Sequence, residues 1–193
     1  MHLNLADLLM PLTAYLVGGI STGYLLVRFL RGIDIRSTGS GSLGARNVGR
    51  ILGRTGFYLT LIGDICKGTL MVWAAYRLAL QPWVVGLTVV AVIAGHIWPV
   101  WLQFHGGKGI ATSLGAFMAL DYTLLLLGTG LLLLFYLPSR HFLLSWGLAL
   151  LLLPLVTSLL AYPYYISGSL CISAILVLSA HHKNIKAQLF SSK

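Results

Sequence analysis

The chain has 193 residues, 58% of them apolar and 9% charged, with a mean hydropathy of +0.88. A water-soluble domain carries roughly 25% charged residues, so the composition excludes a soluble fold and predicts a membrane protein. Its net charge is +9, with four acids (Asp7, Asp34, Asp64 and Asp121) and no glutamate, which excludes glutamate-dependent zinc proteases, EF-hands and Glu/Glu glycosidase pairs.

The predicted elements follow the apolar runs. Leu8 to Leu30 is the first stretch long enough, at about 20 apolar residues, to cross the hydrocarbon core as a helix. It has no basic segment before it and no small-residue cleavage site after it, so it reads as a retained helix and not as a signal peptide. Gly32 to Arg54, with six glycines and four arginines, is expected outside the lipid core. Spans follow from Thr55 to about Leu80 and from Trp83 to about Phe104, with Pro99 near the end of the latter. Asp121 and Tyr122 divide the next apolar stretch into two short helices, about Ile110 to Leu120 and Thr123 to Leu137. At 1.5 Å per residue these fall short of a ~30 Å core, which implies tilt, local thinning or a re-entrant hairpin. Phe142 to Leu160 and Tyr164 to Ala180 complete the set, joined by an Ala-Tyr-Pro-Tyr-Tyr turn. The fold expected is an all-α integral membrane protein: one domain over residues 1–193, a bundle of seven mostly short transmembrane helices with glycine-rich cytoplasmic half-loops.

Lysine and arginine bias in short loops sets orientation. With the 32–54 loop in the cytoplasm, Arg28, Arg31, Arg36, Arg46, Arg50, Arg54, Lys108, Arg140, Lys183, Lys186 and Lys193 share one side. The N-terminus, the Asp121 turn and the Tyr162–Tyr165 turn then face outward and the C-terminus inward. Because the cations lie between apolar spans, anionic headgroups or a phosphorylated substrate suit them, and nucleic acid does not. Cys66 and Cys171, inside apolar runs, read as small core residues. Glycines such as Gly18, Gly19, Gly128, Gly130 and Gly147 read as points of close helix packing.

Two expected cytoplasmic loops are glycine-rich and basic. The first, from Asp34 to Arg50, carries Gly39, Gly41 and Gly44 with Ser40, Ser42 and Asn47. Glycines there could turn successive N–H groups into a nest for an anion beside arginine donors; the alternative is a solvated basic loop held near anionic lipid. In the second, Gly106-Gly107-Lys108-Gly109 opens a helix at Ile110, so that Lys108 and the free N–H groups of the first turn could converge on one anion. Its alternative is a tight turn with a snorkelling lysine. The spacing is not that of a Walker A motif. His96 lies inside the third span, open to a functional or a hydrogen-bonded core role, and Asp64 with Lys67 reads as a neutralising pair or a functional one. His181 and His182 have no cysteine or acid at ligand spacing, so neither a metal nor a cofactor is expected.

Three separated motifs together resemble those of the bacterial acyl-phosphate:glycerol-3-phosphate acyltransferases, the PlsY family. Asp34, Arg36, Gly39, Ser40, Gly41, Gly44, Ala45, Asn47 and Arg50 match the first; Gly95, His96, Pro99, Phe104, Gly106, Gly107, Lys108, Gly109, Ala111 and Thr112 match the second; His181, His182, Asn184 and Ile185 match part of the last. Asp64, Lys67 and Gly68 fit a further short motif of that family. The resemblance implies transfer of a fatty acyl group from acyl phosphate to the 1-hydroxyl of glycerol 3-phosphate, at the cytoplasmic face of a bacterial plasma membrane, with these two substrates and the bilayer as partners. It implies Ser40, Lys108, His181 and Asn184 as catalytic residues, and Gly39, Gly41, Asn47, Arg50, His96, Gly106 and Gly107 as substrate-binding ones. The donor phosphate itself accepting the hydroxyl proton, or His96 or His181 as general base, are alternative proton routes. Ser42, Arg46, Leu143, Ala180 and Ala187 depart from the family pattern and mark a divergent member. Two other readings are a catalytically silent relative that binds phosphorylated lipid or a partner, and a small anion transporter, for which no inverted repeat is visible.

Overall fold

The structure, a computed structural model, describes residues 4–190, so Lys193 lies outside it. Eight α-helices form a bundle: α1 (Leu5–Gly18), α2 (Thr22–Arg31), α3 (Ala45–Arg77), α4 (Pro82–Ile97), α5 (Ile110–Leu120), α6 (Thr123–Ser139), α7 (Phe142–Leu159) and α8 (Tyr164–Phe190). Helices α1 and α2 are the two halves of the first span, so seven membrane segments result, five of them long and apolar enough to cross a bilayer and two, α5 and α6, shorter.

The local chemistry accounts for the breaks. Helix α1 is capped by the Asn4 N–H donating to Asp7 Oδ2 at 3.0 Å, and α2 starts where the Tyr24 N–H donates to Ser21 Oγ at 3.2 Å and stops at Gly32 in the left-handed region. Between the halves the Ile20 carbonyl loses its helical partner, and Lys67 Nζ, buried in α3, donates to it at 3.0 Å. Asp64 balances Lys67 at 2.9 Å, so the pair is both neutralising and a fastener between two spans.

Three boundaries differ from expectation. Helix α3 begins at Ala45, inside the segment read as a loop, because its first turns rest on the core and only Gly53, with φ +72°, interrupts the helix. Helix α4 ends at Ile97 instead of Phe104, since Pro99 cannot continue it; residues 98–109 fold back as a hairpin in which the Gly106 N–H reaches Ile97 O and the Gly107 N–H reaches His96 O, at 3.1 and 3.0 Å. Helix α8 continues past Ala180 to Phe190.

Glycine sets the closest helix crossings, but not at all of the positions expected. A Cβ at Gly18 would collide with Val92 backbone and one at Gly95 with Tyr15 backbone, bringing α1 onto α4; Gly68 and Gly115 do the same for α3 on α5. Gly19 abuts the side chains of Trp101 and Pro99, whereas Gly147 meets only a side-chain atom of Leu178, Gly128 only one of Leu153, and Gly130 has no described atom within 4 Å of such a Cβ. The two cysteines also depart from expectation: both are exposed, on helix faces turned away from the bundle. The main core lies between α1, α3, α4, α5, α7 and α8, around Val89, Val92, Ile93, Leu170 and Val177.

The bundle has two chemically distinct ends. At one, Tyr76 Oη donates to Leu120 O and Thr123 Oγ1 pairs with Tyr162 Oη, the Asp121 and Tyr162 turns lying together. At the other, Arg36 Nη1 donates to Leu102 O, and Gln188 meets His141. The basic loops, the 98–109 hairpin and the end of α8 gather there.

Candidate active site

The first glycine-rich loop is organised by one side chain. Asn47, buried at the start of α3, donates from Nδ2 to Thr38 O at 2.9 Å and Ser42 O at 3.0 Å, and its Oδ1 accepts from the Ser40 N–H at 3.1 Å. The loop therefore wraps around an amide whose hydrogen bonds are spent on it. Gly39 and Gly41 take φ of +63° and +67° to make that path, and a Cβ at Gly39 would overlap Asn47 Oδ1. The Gly41 N–H closes a turn onto Thr38 O, and the Gly44 N–H reaches Ser42 Oγ. The N–H groups of Ser40, Gly41 and Gly44 are thus engaged inside the loop. What the loop presents outward is the exposed Ser40 and, from the first turns of α3, the exposed Arg46 and Arg50 one helical turn apart. Asp34 anchors the loop's entry through a two-oxygen pair with Arg36, as short as 2.6 Å; that guanidinium holds the Asp34 carboxyl below its usual range.

In the second loop, Gly106 and Gly107 are required by close approach. A Cβ on Gly106 would strike His96 O, and one on Gly107 would strike the His96 ring. Both of their N–H groups bond to carbonyls of α4. These two glycines thus fix the hairpin from which Lys108 projects, and His96 forms its floor. The His96 ring is buried, with Nδ1 3.7 Å from Asp64 Oδ1. It packs against the loop and lies beside the Asp64–Lys67 pair, with no hydrogen-bond partner for Nδ1 among the described residues. Gly109, at φ +85°, starts α5, whose first-turn N–H groups lack intrahelical acceptors and carry the positive end of the helix dipole.

Lys108 is half-buried between these elements. Burial, and secondarily the positive charge of Arg46, hold its pKa below the ordinary lysine value. From the other side comes α8: Val177 packs on Gly109, 3.1 Å from where a Cβ would stand, and His181 lies one turn further on, within electrostatic reach of Lys108. His181 is buried, with Nδ1 2.9 Å from Val177 O and its ring 5.1 Å, centroid to centroid, from that of Trp146. A carbonyl partner requires the proton on Nδ1, which leaves Nε2 with its lone pair. Asn184, exposed, follows at i+3 on the same face.

Helix α7 contributes a residue that an ungapped reading of the sequence misses. That reading puts Leu143 near the start of the sixth segment, with Ser145 taking its place only if the helix is shifted; the buried residue is Ser145, 2.9 Å from both Ser139 Oγ and His141 O and next to Trp146.

An apolar cleft of ≈ 120 Å³ opens beside this cluster between α5, α6 and α7. Ile110, two residues from Lys108, and Trp146, its ring tilted against that of His181, line one end, and Phe117, Leu124 and Leu153 line the other. A cationic, donor-rich cluster next to an apolar cleft suits an amphiphile with an anionic head. The arrangement can hold phosphate oxygens with Lys108 and the arginines, and stabilise charge building on a neighbouring carbonyl.

The family description "Glycerol-3-phosphate acyltransferase" matches residues 8–191. Among curated relatives, "Glycerol-3-phosphate acyltransferase 1" of Desulfitobacterium hafniense (strain Y51) is 43% identical over 189 residues, covering 98% of this chain and 94% of its own. The protein of the same name from Bacillus cereus is 38% identical over 176 residues, 91% of this chain and 96% of its own. Among solved structures, the chain is similar to PlsY, described as an integral membrane glycerol 3-phosphate acyltransferase, in its glycerol 3-phosphate form: TM-score 0.85 at 30% identity, covering 97% of this chain and 94% of that one. The lysophosphatidic acid form of PlsY matches with a TM-score of 0.84.

Proposed function

This chain belongs to the glycerol-3-phosphate acyltransferase family, and from that premise we propose that it moves a fatty acyl group from an acyl phosphate to the 1-hydroxyl of glycerol 3-phosphate, acting as one membrane-embedded domain. It is an integral membrane acyltransferase that acylates glycerol 3-phosphate. The observation that carries the proposal for its donor is the apolar cleft that begins at Ile110, two residues from Lys108: a donor with a phosphate head and a hydrocarbon tail matches both halves.

The chemistry balances without a covalent intermediate. The glycerol 3-phosphate hydroxyl oxygen attacks the acyl carbon, the bond from that carbon to the phosphate oxygen breaks, and the hydroxyl proton leaves with the phosphate, giving lysophosphatidic acid and inorganic phosphate. An acyl phosphate is an activated mixed anhydride, so the protein's contribution is position and charge. In this reading Lys108 and Arg50 hold the phosphate of glycerol 3-phosphate, and the Ser40 hydroxyl contacts the acyl-phosphate group on a loop shaped by Gly39, Gly41 and Asn47. Asn184 and His181 close the site, with His181 Nε2 available as hydrogen-bond acceptor for the attacking hydroxyl. Gly106, Gly107 and His96 act through the placement of Lys108. The positive-inside pattern supports a site on the cytoplasmic face of a bacterial plasma membrane.

Labelled glycerol 3-phosphate incubated with purified protein tests the donor. Lysophosphatidic acid formed with palmitoyl phosphate, and not with palmitoyl-coenzyme A, is the expected result; equal use of the thioester would overturn the donor assignment.

A further inference from the structure

Helix α6 is the least buried of the helices around the cleft: of its seventeen residues only Leu124 is fully buried. It packs mainly on α7 and little on α5, which leaves the wedge between α5 and α6 open. The glycines of this helix do not bring a neighbouring backbone close. A Cβ on Gly128 would stand 3.9 Å from Leu153 Cδ2 with nothing else near, inside the cleft, and a Cβ on Gly130 would meet no described atom within 4 Å. A glycine costs helix stability of about 1 kcal/mol relative to alanine, and at Gly128 no close packing offsets that cost. What its missing side chain preserves is the middle of the cleft.

We propose that Gly128 is a specificity-determining position, keeping the cleft open so that Phe117, Leu124 and Leu153 at its far end measure the acyl chain of the donor. The inference rests on the acyltransferase reading above and adds the selection of chain length to it. The occupant follows from nearness: the cleft starts at Ile110, two residues from Lys108, and at Trp146, whose ring centroid is 5.1 Å from that of His181. An acyl group whose phosphate lies at Lys108 has this apolar path beside it. An apolar space of ≈ 120 Å³ is close to the size of an engineered cavity of about 150 Å³ that takes up hydrocarbon.

The depth comes from two helices independently. Ile110 to Phe117 on α5 and Trp146 to Leu153 on α7 are both seven-residue steps, about 10 Å at 1.5 Å per residue. With single bonds of ~1.5 Å and an angle near ~111°, an extended chain advances about 1.25 Å per carbon, so the cleft guides about eight carbons. Gly128 lies midway along α6 between Leu124 and Leu132, about four carbons down. The selection is steric, because hydrocarbon is no less comfortable in lipid than against leucine. A chain denied the cleft retains its tail in the bilayer, but its carbonyl is displaced, and displacement by about 1 Å can cost on the order of a hundredfold in rate.

The test compares Gly128→Leu with Gly130→Leu, the same change two residues away, using butanoyl, octanoyl and hexadecanoyl phosphate. Expected is a fall of at least tenfold in kcat/KM for the two longer donors in Gly128→Leu, with butanoyl phosphate and the KM for glycerol 3-phosphate changed less than twofold, and a parent-like profile in Gly130→Leu. A uniform loss over all three donors, or an unchanged profile, would overturn the proposal. A second measurement needs no turnover and tolerates a poorly folding leucine variant. In a background with Cys66→Ser and Cys171→Ser, alkylation of Gly128→Cys should be slowed by hexadecyl phosphate but not by butyl phosphate, and that of Gly130→Cys by neither. No protection by hexadecyl phosphate counts against the cleft as the chain's path. Failure of the parent to turn over any acyl phosphate, with protection intact, counts instead against the donor assignment.

Discussion

Asn47 is the residue whose role the structure changes most, and replacing it separates shaping the loop from touching substrate. Asn47→Ala removes hydrogen bonds of 2.9, 3.0 and 3.1 Å to Thr38 O, Ser42 O and the Ser40 N–H. At about 0.5–1.5 kcal/mol net each the sum is about 1.5–4.5 kcal/mol, and because Ser40 is exposed, water replaces part of it. About 2 kcal/mol is expected, a shift of about thirtyfold in the balance between ordered and disordered loop. Trypsin reports that balance by cleavage after Arg36 and Arg46, and kcat/KM for the acyl donor reports its consequence, with a fall of about three- to thirtyfold expected. Asn47→Asp is the sharper variant: it retains an acceptor for the Ser40 N–H but turns an oxygen toward two carbonyls, so it should damage the loop at least as much as alanine does. A kcat/KM within twofold of the parent in Asn47→Ala, with no gain in cleavage, would refute the organising role.

Gly107→Ala should lower kcat by on the order of a hundredfold, with the KM for glycerol 3-phosphate raised as well, because the new methyl overlaps the buried His96 ring and moves Lys108, the next residue; parent-like kinetics would show that the hairpin yields freely. In the proposed site Lys108 holds phosphate as the cation, and burial with Arg46 beside it lowers its pKa, so the KM for glycerol 3-phosphate should climb with pH from below the ordinary lysine range. Arg46→Thr removes one of the two depressing causes and should move that rise to higher pH, which steady-state kinetics over an alkaline series will detect; an unmoved limb would mean that Arg46 does not act on Lys108. Lys67→Met strands Asp64 and frees the Ile20 carbonyl, so the protein should be destabilised by about 3–5 kcal/mol, with the double variant Asp64→Leu/Lys67→Met recovering part of this. Thermal unfolding in detergent reads both, and a single variant as stable as the parent would contradict the fastener role.

The number and order of membrane segments were legible because hydropathy and charge alternate along the whole chain, and lipid forbids most other arrangements of backbone. Boundaries were less legible where composition and conformation part company. Residues 45–52 are basic and glycine-containing yet helical, since their apolar members Val48 and Ile51 rest on a small core with Val27, Ile35 and Leu43. The chain after Ile97 is apolar yet not helical, since Pro99 and the two carbonyl bonds from Gly106 and Gly107 fold it back. Sequence motifs brought Ser40, Lys108, His181 and Asn184 into one set, but composition cannot separate a glycine that receives an anion from one that makes room for a neighbour. Gly39, Gly106 and Gly107 belong to the second kind, and Asn47 and His96 are their counterparts. Ser145 and the cleft depend on how α7 and α6 rotate in the bundle, which apolar helices of nearly uniform hydrophobicity do not announce.

The central claim is an acyl-transfer site built on Lys108, and the most direct measurement is inorganic phosphate released from palmitoyl phosphate by the purified protein, with and without glycerol 3-phosphate, beside Lys108→Ala. A charged hydrogen bond is worth about 1.5–3 kcal/mol, so release should require both substrates and fall by about ten- to 150-fold in the variant. Release that ignores glycerol 3-phosphate, or survives in Lys108→Ala at the parent's rate, would contradict it, as would a folded parent that binds glycerol 3-phosphate and releases nothing.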